Sequence, residues 1–339
     1  MKLGYVLMLE EALYSNEAIQ KLREVELIPV LKCINNSAEL INTIKDYNKN
    51  KKNVIAVFTK LGLYIDRSVY EAGQGYLKWV VTPTTGLDHI DLEAAYEYKV
   101  SVLSLKHQDE FLKEITPTAE LVFGLIFSLL RHIPASHYDV LQGKWRRDVF
   151  LGHEIKNKVM GIIGLGRLGT MVSNYAKAFG MKVNAFDQKD EPFNDAANSH
   201  VFRSLNIKSL LNNSDIVSLH IPLEKNNFGI IDFAQFQYFK RGSYLINTAR
   251  GELVNENALL NALKINILRG CAVDVLNGDS QWAGYSPKYH QLIEYARQND
   301  NLIITPHIGG YTYNAIRETR NFVVDLFINK WSKNIIFDK

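Results

Sequence analysis

The sequence predicts an α/β fold made of two doubly wound, parallel-sheet domains. Three observations carry this. Short apolar runs alternate with amphipathic helical patterns along nearly the whole chain, which is the pattern of strands feeding crossover helices. A long, mostly apolar helical stretch, Thr116–Leu130, interrupts that alternation once. A glycine run, Gly164-Leu-Gly-Arg-Leu-Gly169, then opens a second alternating series. The 339 residues suffice for two cores, and an apolar content of 47% with 22% charged residues is that of a globular protein.

In the first series, strands are expected at Leu3–Leu9, Ile28–Cys33, Val54–Thr59, Leu77–Thr82 and Ser101–Leu105. Helical periodicity at Asn16–Val25, Ala38–Tyr47 and Leu92–Lys99 separates several of them. The second series begins with Val159–Ile163 and continues through Lys182–Phe186, Ile216–Ile221, Tyr244–Thr248, Cys271–Val275 and Leu302–Thr305. Between the series, His137–Lys158 reads as an ordered surface connection. A last amphipathic helix is expected from about Tyr313 to Lys330, and its place in the sequence suits a return to the first domain. The expected division is residues 1–110 with 310–339, and residues 111–309.

The glycine run has the setting that dinucleotide binding demands. An apolar strand leads into it, an amphipathic helix follows, and a second strand ends on Asp187, eighteen residues past Gly169. Gly164 makes the tight turn, Gly166 lets the backbone approach a pyrophosphate, and Gly169 lets helix and strand pack closely. The pyrophosphate would sit on the N–H groups that open the helix, at Arg167 and Leu168, where the helix dipole is positive. Asp187 is placed to hold ribose hydroxyls and repels a 2′-phosphate, so NAD is expected rather than NADP.

The formal charge of +3 is too small to argue for nucleic acid or a membrane surface. No apolar run reaches the ~20 residues of a membrane span. Cys33 and Cys271 lack metal-type spacing and read as buried thiols, and no metal site is expected. The start of the chain looks like a first strand rather than a secretory leader, so a cytoplasmic location is expected.

Ligands of doubly wound folds bind beyond the carboxyl ends of strands. Three charged residues follow strands of the second series: Arg250 after Tyr244–Thr248, Asp279 after Cys271–Val275, and His307 after Leu302–Thr305. An arginine grips a carboxylate with two parallel hydrogen bonds. A histidine gives a proton to a carbonyl oxygen, and a carboxylate beside an imidazole favours its charged form. Taken singly, Arg250 reads as a strand end in solvent, Asp279 as a turn residue and His307 as a satisfied structural histidine. Together, beside a dinucleotide motif, they are the set needed to reduce a 2-oxo acid.

The order and content of the motifs resemble those of the D-isomer-specific 2-hydroxyacid dehydrogenase family. The resemblance rests on Thr85-Gly-Leu-Asp-His-Ile-Asp91, Thr118-Ala-Glu120, Gly161-Ile-Ile-Gly-Leu-Gly-Arg-Leu-Gly169 and Asp215-Ile-Val-Ser-Leu-His-Ile-Pro222. It continues through Asn247-Thr-Ala-Arg-Gly-Glu-Leu-Val-Asn-Glu256, Ala272-Val-Asp-Val275 and Thr305-Pro-His-Ile-Gly309. It implies a flavodoxin-like substrate domain with a Rossmann NAD-binding domain inserted in it, and a homodimer with contacts at 132–158. It implies that Arg250 holds the substrate carboxylate and that His307 is the general acid–base. Asp274 then bonds the nicotinamide carboxamide, while His220, Pro222, Thr248, Ala249 and Gly309 lie along the cofactor. The loop Thr84-Thr85-Gly86 receives the substrate carboxylate. One departure stands out: where the family usually has glutamate, twenty-nine residues beyond the arginine, this chain has the shorter Asp279, followed by Ser280. The segment after it, Gln281–Gln298, reads as an inserted lid or contact surface.

The expected reaction is NAD-dependent hydride transfer at C2 of a D-2-hydroxy acid or 2-oxo acid. A phosphoglycerate or sugar-acid dehydrogenase is the alternative within the family. In phosphoglycerate dehydrogenases, two arginines occupy the places aligned here with Phe58 and Lys60, which counts against that alternative. Lys60 remains a candidate substrate ligand. A non-catalytic, NAD-sensing interaction protein is the alternative of another class. Closure about hinges at Ser104–Thr116 and Ile308–Tyr313 is expected, because hydride transfer needs water excluded.

Overall fold

The computed structural model describes residues 4–10, 13–279, 282, 287 and 289–337, with side chains as far as 333. The chain divides into two compact units. The first runs to Ile115 and resumes at Thr312; the second comprises Thr116–Asp279 and Pro287–Tyr311. The second unit is thus an insertion in the first.

The first unit holds β1 (Gly4–Met8), β2 (Leu27–Leu31), β3 (Val54–Phe58), β4 (Trp79–Val81) and β5 (Ser101–Leu103), all parallel, in the order β2-β1-β3-β4-β5. That order is the flavodoxin-like one. Side-chain alternation sorts its strands between two cores. Val6, Met8, Ala56, Phe58, Trp79 and Val81 pack with Leu22, Val323, Val324 and Phe327 of the helices Asn16–Glu24 and Tyr313–Phe337. Leu7, Leu9, Val57 and Val80 pack on the opposite face with Leu40, Ile44, Val69 and Ala94. Burial on both faces explains why the strands read as continuous apolar runs. Arg320 Nε donates to Glu10 Oε2 at 3.0 Å, tying the last helix to the end of β1.

The second unit holds β6 (Val159–Ile163), β7 (Lys182–Phe186), β8 (Val201–Arg203), β9 (Ile216–Leu219), β10 (Ser243–Asn247), β11 (Leu268–Val273) and β12 (Leu302–Ile304). Their order, β12-β11-β10-β9-β6-β7-β8, contains the 3-2-1-4-5-6 succession of a dinucleotide-binding sheet with one strand added. The apolar helix Pro117–Leu130 and the helix Arg167–Ala178 pack on the inner residues Met160, Ile162, Val183, Ile216 and Ile246. Among the described residues no single helix is long and apolar enough to cross a membrane.

One expectation needs correction, and two elements were not read from the sequence. Cys33 is exposed, because β2 stops at Leu31 and the thiol lies in the loop beyond it; Cys271 is buried in β11 as expected. Within and just before the connection at 137–158, Ile133–Leu141 forms a helix, with Pro134 tolerated in its first turn. Strand β8 carries too little apolar pattern to be read from the sequence, and its Phe202 points to solvent. Much of Gln281–Gln298 lies outside the described residues, and its later part includes the helix Gln291–Ala296.

Phe327 is fully buried and meets Phe58 edge-on at 5.3 Å between ring centroids, and Trp79 at 5.8 Å. Phe327→Ala should destabilise the first unit by about 3–5 kcal/mol, read from urea denaturation.

Candidate active site

The sheet order of the second unit reverses between β6 and β9, and such a switch point is where doubly wound sheets bind their ligands, beyond the strand ends. Gly164 turns the chain out of β6 with φ +93°, and a Cβ there would lie 2.7 Å from the His220 carbonyl oxygen. Only glycine permits both the turn and this approach of the β6 and β9 ends. A Cβ on Gly169 would lie 2.0 Å from Gly164 O, so the first helical turn packs directly on the loop. Gly166, the N-cap of Arg167–Ala178, differs: a Cβ there would meet nothing within 4 Å. The loop therefore has space at Gly166 next to N–H groups that no helical carbonyl can satisfy.

Asp187, just beyond β7, accepts from Leu165 N–H at 2.8 Å and from Lys189 N–H at 2.9 Å. Its carboxylate pins the glycine loop and keeps lone pairs for further donors. His220 Nε2 lies 2.9 Å from Ser218 Oγ, while His220 Nδ1 and Thr248 Oγ1 are buried polar atoms without a partner. Orphaned buried polar groups are rare in proteins. Two of them, just beyond the ends of β9 and β10, fit a bound dinucleotide. Burial also pushes the His220 imidazole down to about 4, so it is neutral at physiological pH. Pro222 O accepts from Asn227 Nδ2 at 2.7 Å, fixing the turn after β9.

Asn247, at the end of β10, accepts from Ala249 N–H at 3.0 Å and donates to Arg250 O at 2.8 Å. This asparagine turn sets Arg250 in extended backbone, with its guanidinium on Ala249 O at 2.7 Å. His307 Nδ1 lies 3.0 Å from Asp279 Oδ2. A carboxylate only accepts, so Nδ1 carries the proton and Nε2 is left for chemistry. His307 itself adopts φ +56°, a strained region for a non-glycine residue. Asp274 holds it there. The His307 N–H donates to Asp274 O at 2.8 Å, and the Asp274 carboxylate accepts from Thr305 Oγ1, Ile308 N–H and Gly309 N–H. Burial pushes the Asp274 carboxyl up, and these three donors oppose it.

The substrate-side candidates of the first unit also sit at strand ends. Thr84 Oγ1 donates to Gly86 O at 2.7 Å and lies 2.9 Å from Thr82 Oγ1, so the loop Thr84-Thr85-Gly86 is braced beyond β4. Lys60 follows β3 and donates to Asn35 Oδ1 at 3.0 Å.

Residues 123–309 match the D-isomer specific 2-hydroxyacid dehydrogenase family, NAD binding domain. The chain belongs to that family. Its second unit is accordingly an NAD-binding domain, and NAD is its cofactor. A glyoxylate reductase of Pyrococcus horikoshii is 31% identical over 274 residues, which cover 79% of this chain and 77% of that protein. A D-3-phosphoglycerate dehydrogenase of Methanocaldococcus jannaschii is 32% identical over 309 residues, 91% of this chain and 54% of the relative. This chain spans about half the length of the phosphoglycerate dehydrogenases it matches. The apo-structure of D-lactate dehydrogenase from Escherichia coli shares the fold, with a TM-score of 0.80 at 21% identity over 98% of each chain.

Within the family's motifs, sequence reasoning passed over several supporting residues. Thr305 and Asn247 were read only as flanks of His307 and Arg250. Glu252 and Glu256, which contact the turn bearing Asp279, carried no signal beyond their place in the arginine motif.

Two predictions follow from the geometry of the nucleotide end. Gly166→Ala should keep the melting temperature yet weaken NADH binding about tenfold, roughly 1.4 kcal/mol. Gly169→Ala should instead lower the melting temperature; fluorescence titration and thermal melts separate the two. Because His220 is neutral when folded, its contribution to stability is full above the unfolded value of 6.5. That contribution is lost as pH falls through about 4. His220→Gln should therefore lose less stability than wild type between pH 7 and pH 4 in thermal melts.

Proposed function

We propose that the protein transfers hydride reversibly at C2 of a small, unphosphorylated D-2-hydroxy acid or its 2-oxo acid. The observation that carries this reading is the contact of His307 Nδ1 with Asp279 Oδ2, at 3.0 Å, on the strand ends of an NAD-binding domain. NAD supplies or accepts the hydride when bound. During oxidation the substrate hydroxyl passes its proton to His307 Nε2, and during reduction Nε2 returns it to the carbonyl oxygen. Asp279 orients the imidazole and balances the charge it gains. Arg250 offers a planar guanidinium to the substrate carboxylate.

Family membership supports the reaction class, and Phe58 bears on the substrate. Phe58 is fully buried among Tyr14 and Phe327, which leaves Lys60 as the cation beyond β3. One exposed amine, already bonded to Asn35, is a weak match to a dianionic phosphate. The relatives named D-3-phosphoglycerate dehydrogenase favour the second reading, a phosphorylated 2-oxo acid. A homodimer is also proposed. Tyr138, Leu141, Trp145, Val149 and Leu151 form a succession of exposed apolar residues, which a second copy would cover.

NADH oxidation measured across a panel of 2-oxo acids, with and without a phosphate group, decides between these substrates. His307→Gln should lower kcat by about 10²–10⁴-fold with NADH binding retained. Arg250→Lys should raise KM for the 2-oxo acid. A His307→Gln enzyme as fast as wild type would remove the proposed mechanism.

A further inference from the structure

The chain reaches His307 with an aspartate, one carbon–carbon bond, or about 1.5 Å, shorter than the usual glutamate. The contact is nevertheless made at 3.0 Å. A shorter side chain makes this contact when its turn is held close to His307; the Asp279 carboxylate also accepts from the Leu276 N–H at 3.3 Å, and further groups hold the turn itself. Asp279 ends the turn Leu276-Asn277-Gly278-Asp279, in which Gly278 has φ +79° and the Asp279 N–H donates to Leu276 O at 3.1 Å. Two carboxylates grip this turn from outside. Glu252 Oε1 accepts from the Gly278 N–H at 2.9 Å, and Glu256 Oε1 accepts from the Asn277 N–H at 3.0 Å.

Glu256 is itself fixed from two sides. It is the first residue of the helix Glu256–Lys264, capped by Asn255, whose side chain accepts from Asn257 N–H and Ala258 N–H. Its second oxygen, Oε2, lies 3.2 Å from His290 Nε2 and accepts from Gln291 Nε2 at 3.5 Å. The Glu256 side chain is only 11% exposed, so contacts on both of its oxygens hold it in one place. Gly251 completes the clamp: a Cβ there would lie 2.1 Å from the Leu276 carbonyl carbon and 2.4 Å from Asn277 N. The turn is seated directly on the backbone of the arginine motif. Arg250 and Asp279 thereby share one support.

We propose that Glu256, seconded by Glu252, is the positioning residue that lets an aspartate serve in place of the longer carboxylate. It rests on the dehydrogenase reading above for its effect on rate, but its effect on the His307–Asp279 bond stands apart from turnover. Glu256 touches neither substrate nor cofactor in this role. It acts through the Asn277 N–H, two residues before Asp279, while Glu252 holds the Gly278 N–H beside it, and both work through the backbone they fix.

The test pairs Glu256→Ala with Asp279→Glu. Glu256→Ala should lower kcat by about 10²-fold, the size expected when a reacting group is displaced by about 1 Å, with KM for NADH unchanged. The double variant E256A/D279E should recover most of that loss, because the longer side chain reaches from the relaxed turn. Glu256→Gln, which keeps an acceptor for the Asn277 N–H, should retain most of the rate. The bond is read directly by the Nδ1 proton resonance of His307, assigned through its disappearance in His307→Asn. It should weaken or vanish in E256A and return in E256A/D279E, whether or not any substrate turns over. Additive losses in the double variant, or an unchanged resonance in E256A, would overturn the proposal. Wild-type protein that binds NADH but reduces nothing would overturn the dehydrogenase reading alone, and the resonance would still decide the role of Glu256.

Discussion

One buried carboxylate organises the reacting end of this protein. Asp274, at the end of β11, is almost inaccessible to water and spends both oxygens on the backbone and hydroxyl of the segment that follows β12. Burying a charge without partners is costly, and three donors offset that cost. The same three bonds fix Thr305, Ile308 and Gly309, so His307 is trapped between fixed neighbours in a backbone conformation it would not choose. The imidazole thus depends on a residue that grips the chain on both sides of it. Asp279 can orient Nδ1 only because Asp274 has already set the Cα.

Much of the architecture was legible because parallel strands buried on both faces must be apolar throughout. Val54–Phe58 and Val159–Ile163 announce themselves by composition, and the glycine run announces the turn between Val159–Ile163 and a helix. Strand β8 escaped because it sits at a sheet edge with Phe202 and Arg203 exposed, and an edge strand has no need of an apolar run. The exposed Cys33 escaped for the opposite reason: an apolar-looking stretch continued past the point where its hydrogen bonding to β1 ended. The candidate site divides the same way. Arg250, Asp279 and His307 could be found from strand ends and charge, because such residues need a chemical reason to stand there. Their supports could not, because Glu252 and Glu256 bind backbone N–H groups, and a sequence does not reveal which N–H groups lack partners.

The two ends of the second unit also differ in what holds them. At the nucleotide end the constraint is steric: Gly164 and Gly169 leave no room for a methyl group, and the loop follows from their absence of side chains. At the reacting end the constraint is polar: carboxylates on N–H groups place Asp279 and His307. Contacts of the first kind tolerate changes of charge but no change of size. Contacts of the second kind require an acceptor at a fixed place, so a change that removes the acceptor costs more there than one that keeps it and removes the charge.

The insertion of one unit in another has a consequence for synthesis. Val323, Val324 and Phe327 fill one face of the first unit's sheet, yet they leave the ribosome after all of Thr116–Tyr311. During that interval Val6, Met8, Phe58 and Trp79 lack part of their apolar cover, whereas the second unit is continuous enough to fold as it emerges. The nucleotide-binding half is thus able to finish first, and the helix Tyr313–Phe337 closes a structure interrupted some two hundred residues earlier, at Ile115. The nascent chain is most exposed to wrong association in that window, and its protection depends on how quickly the final helix arrives.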